Sequence, residues 1–113
     1  MTYEFNGVHY LASLYGVKDV TDICRIRAVF EKAIIQSGSS ICSNTEYIFN
    51  DGGFTVVWLL KESHCSIHTY ADSGNIFVDF FTCGNKTDIK KFENIILCNL
   101  ELERSESRKI LRS

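Results

Sequence analysis

The chain has 113 residues, no proline and a formal net charge of -2, a size at which one domain buries roughly two-thirds of its unfolded surface without disulfides or metals. It carries no basic run to attract nucleic acid or an anionic membrane, no apolar run near the ~20 residues of a membrane span and no basic-then-apolar leader. Its cysteines, Cys24, Cys42, Cys65, Cys83 and Cys98, are odd in number and lack CxxC spacing, so a single cytoplasmic domain over residues 1–113 is expected, its thiols reduced and mostly small buried hydrophobes.

Residues 3–14 are aromatic-rich, end at Tyr15-Gly16 and predict a strand followed by a turn or short helix. Over residues 19–36, Ile23, Ile26, Phe30, Ala33 and Ile34 recur at helical spacing, with Asp19 placed to cap and Gly38 to stop the helix. Residues 37–43 are polar and read as loop, residues 46–49 predict a strand, and NDGG at 50–53 predicts a hairpin turn. Three β-prone runs follow at 54–60, 65–70 and 75–82, the last two joined by ADSG. A second helix is predicted over 88–99, capped by Thr87, with Ile89, Phe92, Ile95 and Ile96 inward. The charged tail at 101–113 offers Leu102, Ile110 and Leu111 as edge-strand contacts.

This order predicts an α+β, two-layer sandwich: a mostly antiparallel sheet with two helices on one face. Because residues 56–60 are apolar on both faces, the uncovered face predicts a homodimer formed through or beside the sheet.

Polar chemistry concentrates after that apolar run. On a strand, Ser66, His68 and Tyr70 share one face and Cys65, Ile67 and Thr69 the other, which makes His68 a candidate base. Hydrogen-bonded edge residues would give the same pattern. No GxSxG elbow or glycine-rich oxyanion loop supports a serine hydrolase, and a cysteine hydrolase using Cys83 and His68 lacks an assignable third group. His64 and His68 share a strand face with Cα atoms about 13 Å apart, too far for one metal ion, and no metal is expected.

The segments ESHCSIHT at 62–69 and DFFTCG at 79–84, with GVHYLASLYG at 7–16 and Phe49, resemble the processing site, catalytic cysteine motif and N-terminal pattern of the bacterial and archaeal S-adenosylmethionine decarboxylases, which are self-cleaving pyruvoyl enzymes. The resemblance implies that Ser63 attacks the carbonyl of Glu62, giving a β chain of residues 1–62, an α chain of residues 63–113 and a pyruvoyl group made from Ser63. It implies His68 as proton acceptor in processing, with Thr55 standing where the family commonly has a serine. It further implies a Schiff base between the pyruvoyl ketone and the substrate amine, Cys83 as proton donor in decarboxylation, and a product used for polyamine (spermidine) synthesis. Partners would be the small-molecule substrate and a second αβ unit, with the active site at the dimer interface. Where the family usually reads Thr-Trp-Pro-Glu, this chain has Thr69-Tyr70-Ala71-Asp72. Phe49 and Tyr70 can still sandwich adenine, and Asp72 can accept from ribose hydroxyls with a shorter reach. Asp72 can equally meet a guanidinium or ammonium, so L-arginine or L-ornithine decarboxylation is the alternative, with a non-catalytic homologue as a further one.

Overall fold

A computed structural model describes residues 6–83 and 86–112. The order along the chain is β1 (Gly7–Tyr15), α1 (Ile23–Gln36), β2 (Ile41–Ile48), β3 (Phe54–Leu60), β4 (Ser63–Tyr70), β5 (Asn75–Thr82), α2 (Ile89–Asn99) and β6 (Arg104–Arg112). All six strands join one antiparallel sheet in the order β2-β3-β4-β5-β1-β6. The expected α+β sandwich is present; residues 3–5 of the predicted opening strand lie outside the described residues.

Alternation builds the two layers. In β3, Phe54, Val56, Trp58 and Leu60 are buried while Val57 and Leu59 are exposed; in β5, Ile76, Val78, Phe80 and Thr82 are buried. The buried face meets Ile26, Phe30, Ala33 and Ile34 of α1 and Ile89, Phe92 and Ile96 of α2. Phe30 stacks on Trp58 with centroids 6.2 Å apart, and Phe80 meets Phe92 at 4.3 Å. Each such large side chain contributes roughly 1.5–3 kcal/mol by leaving water.

Polar groups clamp the layers together. Arg27 of α1 donates to Glu31 at 2.9 Å, to Asn44 at 2.8 Å and to Glu46, while the Trp58 indole N–H donates to Glu31 at 2.9 Å. On the same covered face, the Tyr10 phenol of β1 donates to Glu93 of α2, and burial followed by that contact pushes its pKa up. Partial burial alone would raise the Glu31 pKa, but the hydrogen bonds from Trp58 and Arg27 outweigh it and the net shift is downward.

Several boundaries differ from expectation for identifiable reasons. Asp22, not Asp19, caps α1 by accepting from Arg25 N; Asp19 lies in the preceding turn with φ 56°. Asp88 caps α2 through Lys91 N, leaving Thr87 within 3.3 Å of the Ser39 hydroxyl. The polar run expected as loop enters β2 at Ile41, because an edge strand exposed on both faces has no hydrophobic alternation to betray it. The NDGG segment does turn the chain, with Phe49 N–H donating to Gly53 O at 2.8 Å. The cysteines depart furthest: Cys24, Cys42, Cys83 and Cys98 are exposed, and only Cys65 is a buried hydrophobe. No helix among the described residues is long and apolar enough to cross a membrane.

Replacing Glu31 with Ala leaves a buried indole N–H without its acceptor and should cost about 1–2 kcal/mol, read as a lowered Tm at pH 7. Because folding lowers the Glu31 pKa, its contribution is complete above the unfolded carboxyl value and is lost as pH falls through the folded one. The gap in Tm between the two proteins should therefore narrow between roughly pH 5 and pH 3.

Candidate active site

The site is built around the turn between β3 and β4. Only Lys61 and Glu62 separate Leu60 from Ser63, which face each other as a pair. Glu62 closes this turn in the left-handed region, with φ 64°, a conformation that costs a non-glycine residue roughly 1–2 kcal/mol. The strained residue is thus the one whose carbonyl is bonded to Ser63.

The turn fixes what lies alongside on β5. Pairing runs His64 with Phe81 and Cys65 with Phe80; the same register continued by one and two steps would set Ser63 opposite Thr82 and Glu62 opposite Cys83. The last placement is visible as a contact, in which the Cys83 thiol donates to the Glu62 carbonyl oxygen at 2.9 Å. A sulfur-borne proton therefore sits on the oxygen that would gain negative charge if Ser63 attacked this carbonyl.

A second group forms at the far end of the same hairpin. Thr55 pairs with His68, and the Thr55 hydroxyl lies 2.8 Å from His68 Nδ1. Beside them Phe49 and Tyr70, with Asn50, Asp51 and Thr69, line a cleft of about 430 Å³. The two aromatic rings are each steadied edge-on by a neighbour, Phe49 by Tyr47 at 5.0 Å and Tyr70 by Phe77 at 5.3 Å. Asp72 is exposed in the β4–β5 turn and is not among the lining residues. The carboxylate that does line the cleft is Asp51, whose Oδ1 accepts from Gly53 N at 2.9 Å.

The expected site residues thus fall into two clusters. Glu62, Ser63 and Cys83 form one; Thr55, His68, Phe49 and Tyr70 form the other. His68 lies five positions along an extended strand from Ser63, a span of about 16 Å at ~3.3 Å per residue. Within one chain His68 does not reach the Glu62–Ser63 junction.

The Thr55–His68 cluster opens to the face left bare by the helices, whereas the Glu62–Ser63–Cys83 cluster sits at the rim of the sheet, with Ser63 in step with the buried residues Cys65 and Ile67. On the open face of β1 and β5 lies a further pair that sequence reasoning left without a role, His9 Nε2 and Asp79 Oδ1 at 2.9 Å. Phe81 is stacked by His64 at 5.7 Å, touched edge-on by His9 at 6.2 Å and covered by the Arg112 guanidinium at 5.3 Å. His9 and Asp79 lie 70 positions apart, so only the β1–β5 register unites them.

A helix-backed antiparallel sheet that holds a thiol against a strained acyl–serine junction defines an α+β protein with enzyme-like chemistry on the rim and open face of its sheet. The chain belongs to the S-adenosylmethionine decarboxylase family, whose model matches residues 8–113. It is 36% identical to the S-adenosylmethionine decarboxylase proenzyme of Sulfurihydrogenibium sp. (strain YO3AOP1), over 90% of this chain and 78% of that protein. It is 37% identical to the proenzyme of the same name from Aquifex aeolicus, over 90% of this chain and 77% of that one. The fold superposes on a crystal structure of the adenosylmethionine decarboxylase from Aquifex aeolicus with a TM-score of 0.80 at 31% identity, covering 96% of this chain and 91% of that one.

The Thr55–His68 contact makes a spectroscopic prediction. Thr55→Val should shift the His68 Nδ1 resonance and its tautomer balance in ¹⁵N NMR, while Thr55→Ser should leave both close to those of the unaltered protein.

Proposed function

We propose that the protein is a self-processing, pyruvoyl-dependent decarboxylase that acts on S-adenosylmethionine, giving the decarboxylated product used in polyamine synthesis. The observation that carries this reading is the Cys83 thiol on the Glu62 carbonyl oxygen at 2.9 Å, next to Ser63. Family membership supplies the substrate class, since the relatives are named for S-adenosylmethionine.

In processing, Ser63 Oγ attacks the Glu62 carbonyl carbon while Cys83 stabilises the oxygen. The left-handed Glu62 loses its strain when the bond to Ser63 nitrogen breaks. A base must then remove the Ser63 Cα proton so that the Glu62 carboxylate leaves, and His68, oriented through Nδ1 by Thr55, has its Nε2 free for that task. The Ser63 remnant would then tautomerise and take up water, releasing its nitrogen as ammonia, and the pyruvoyl group so formed would supply an electron sink for loss of carbon dioxide from an amino acid. The serine, its strained acyl neighbour and the thiol fit its formation. Cys83 Sγ would be the group that delivers a proton to the substrate α-carbon in the decarboxylation.

The ~16 Å between Ser63 and His68 calls for a second copy of the chain. Two sheets facing each other across their open faces, with strand directions reversed, bring Thr55, His68, Phe49 and Tyr70 of one copy onto Glu62, Ser63 and Cys83 of the other. Val57, Leu59, Tyr47 and Phe77 on that face are exposed and apolar and would be covered in the same step. In this arrangement adenine lies between Phe49 and Tyr70, and Asp51 or Asp72 accepts from the ribose. Each dimer of αβ units then holds two shared sites.

Mature protein should give fragments of residues 1–62 and 63–113 on a denaturing gel, the second blocked at its N-terminus, and should release carbon dioxide from S-adenosylmethionine in preference to L-arginine or L-ornithine. Preference for either basic amino acid would overturn the substrate assignment. Ser63→Ala and His68→Ala chains should each fail to mature alone, whereas their co-expression should restore cleavage and part of the activity, because one site of every mixed dimer is complete. Failure of that rescue alongside an active unaltered enzyme would refute the shared site.

A further inference from the structure

Among the described residues, Thr82 Oγ1 is the buried side-chain polar atom that lacks a hydrogen-bond partner. The other buried serine and threonine hydroxyls are engaged: Ser37 donates to Ile34 O at 2.8 Å, and Thr69 accepts from Phe54 N at 2.9 Å. Thr82 itself is 0% exposed. An unpaired hydroxyl in an apolar layer is destabilising, and valine would fill the same space without it. A buried polar atom left open in this way calls for a task.

Its position names one. Thr82 is the last residue of β5, paired with Val8 of β1 on one side; on the other, the register continued one step beyond the His64–Phe81 pair would set it opposite Ser63. Directly opposed residues share a sheet face with Cβ atoms about 4.5–5.5 Å apart, a spacing within which two hydroxyls can hydrogen-bond. The next residue, Cys83, holds the carbonyl that Ser63 would attack. Two successive residues of β5 thus address the two partners of one bond-forming step. A β-branched threonine keeps its hydroxyl in few rotamers, which suits a fixed acceptor.

We infer that Thr82 is a positioning residue for self-processing, whose Oγ1 accepts a hydrogen bond from the Ser63 hydroxyl and aims Ser63 Oγ at the Glu62 carbonyl carbon. This rests on the processing reading above. In the step it assists, the Ser63 Oγ–Glu62 C bond forms, the Glu62 C–Ser63 N bond breaks, and the hydroxyl proton ends on the Ser63 nitrogen. The product is an ester with a free amine; Thr82 neither gains nor loses a proton overall, and no outside reagent is consumed.

The test follows cleavage over time by intact mass, with Tm measured alongside, for the unaltered chain, Thr82→Val and Thr82→Ser. Thr82→Val should slow cleavage on the order of tenfold while its Tm stays level or rises, because the packing is kept and the unpaired hydroxyl is gone. Thr82→Ser should retain most of the rate. Should the valine variant misfold, Thr82→Ala in its folded fraction should show the same slowing. Cleavage of Thr82→Val at the unaltered rate, or equal slowing of the valine and serine variants, would overturn the role of the hydroxyl while leaving self-processing intact. An unaltered chain that never cleaves would instead overturn self-processing, and this inference with it.

Discussion

The two-residue turn at Lys61 and Glu62 is the constraint from which the candidate chemistry follows. A turn that short permits one register between β3 and β4, and so pairs Leu60 with Ser63 and Thr55 with His68 in the same stroke. With β4 set, its pairing to β5 brings Glu62 beside Cys83, where the thiol closes a 2.9 Å hydrogen bond to the carbonyl. A slip of one residue would turn Ser66, His68 and Tyr70 into the helix layer and expose Cys65 and Ile67 in their place. The strain held by Glu62 is tolerated because strands on both sides determine where it lies.

The apolar core and most of the sheet's polar side chains occupy opposite faces. One face is sealed by α1 and α2 over Phe30, Trp58, Phe80 and Phe92, and the Arg27–Glu31–Trp58 contacts anchor the helix layer to β2 and β3. The other face is left with His9, His64, His68, Asp79 and Ser66 among exposed aliphatic and aromatic side chains. A polar set of this kind would be costly inside a single-chain core, where each group must be satisfied at once. On an open face it is accommodated by water, and it becomes organised when that face is covered.

The cysteines show how far one step of alternation changes a side chain. Cys65 and Cys83 lie on adjacent strands, yet Cys65 points into the helix layer, where burial first and then the nearby Asp79 charge push its thiol pKa well above the ordinary range. That thiol is inert at neutral pH. Cys83 stands past the end of β5, exposed, with its proton on a backbone carbonyl. Cys24, Cys42 and Cys98 are exposed without such a partner among the described hydrogen bonds.

By itself the sequence determined the elements with strong periodicity. The α1 and α2 cores, the span 54–60 of β3 and the span 75–82 of β5 are legible because apolar residues recur at the spacing of the element that buries them. It also held the signature on which the proposed processing rests, since Glu62, Ser63, His68 and Cys83 lie in short segments whose wording resembles a family. Exposed edge strands left no such trace: the first half of β2 looked like loop, and β6 gave only scattered contacts. Asp51 was legible as a turn residue and not as a cleft wall. Tertiary structure alone decided the grouping of the site, because register, not proximity in sequence, sets which side chains meet. It joined Cys83 to Glu62 across 21 positions and His9 to Asp79 across 70, and it held His68 away from Ser63 although only five positions part them, since an extended strand keeps its own neighbours apart.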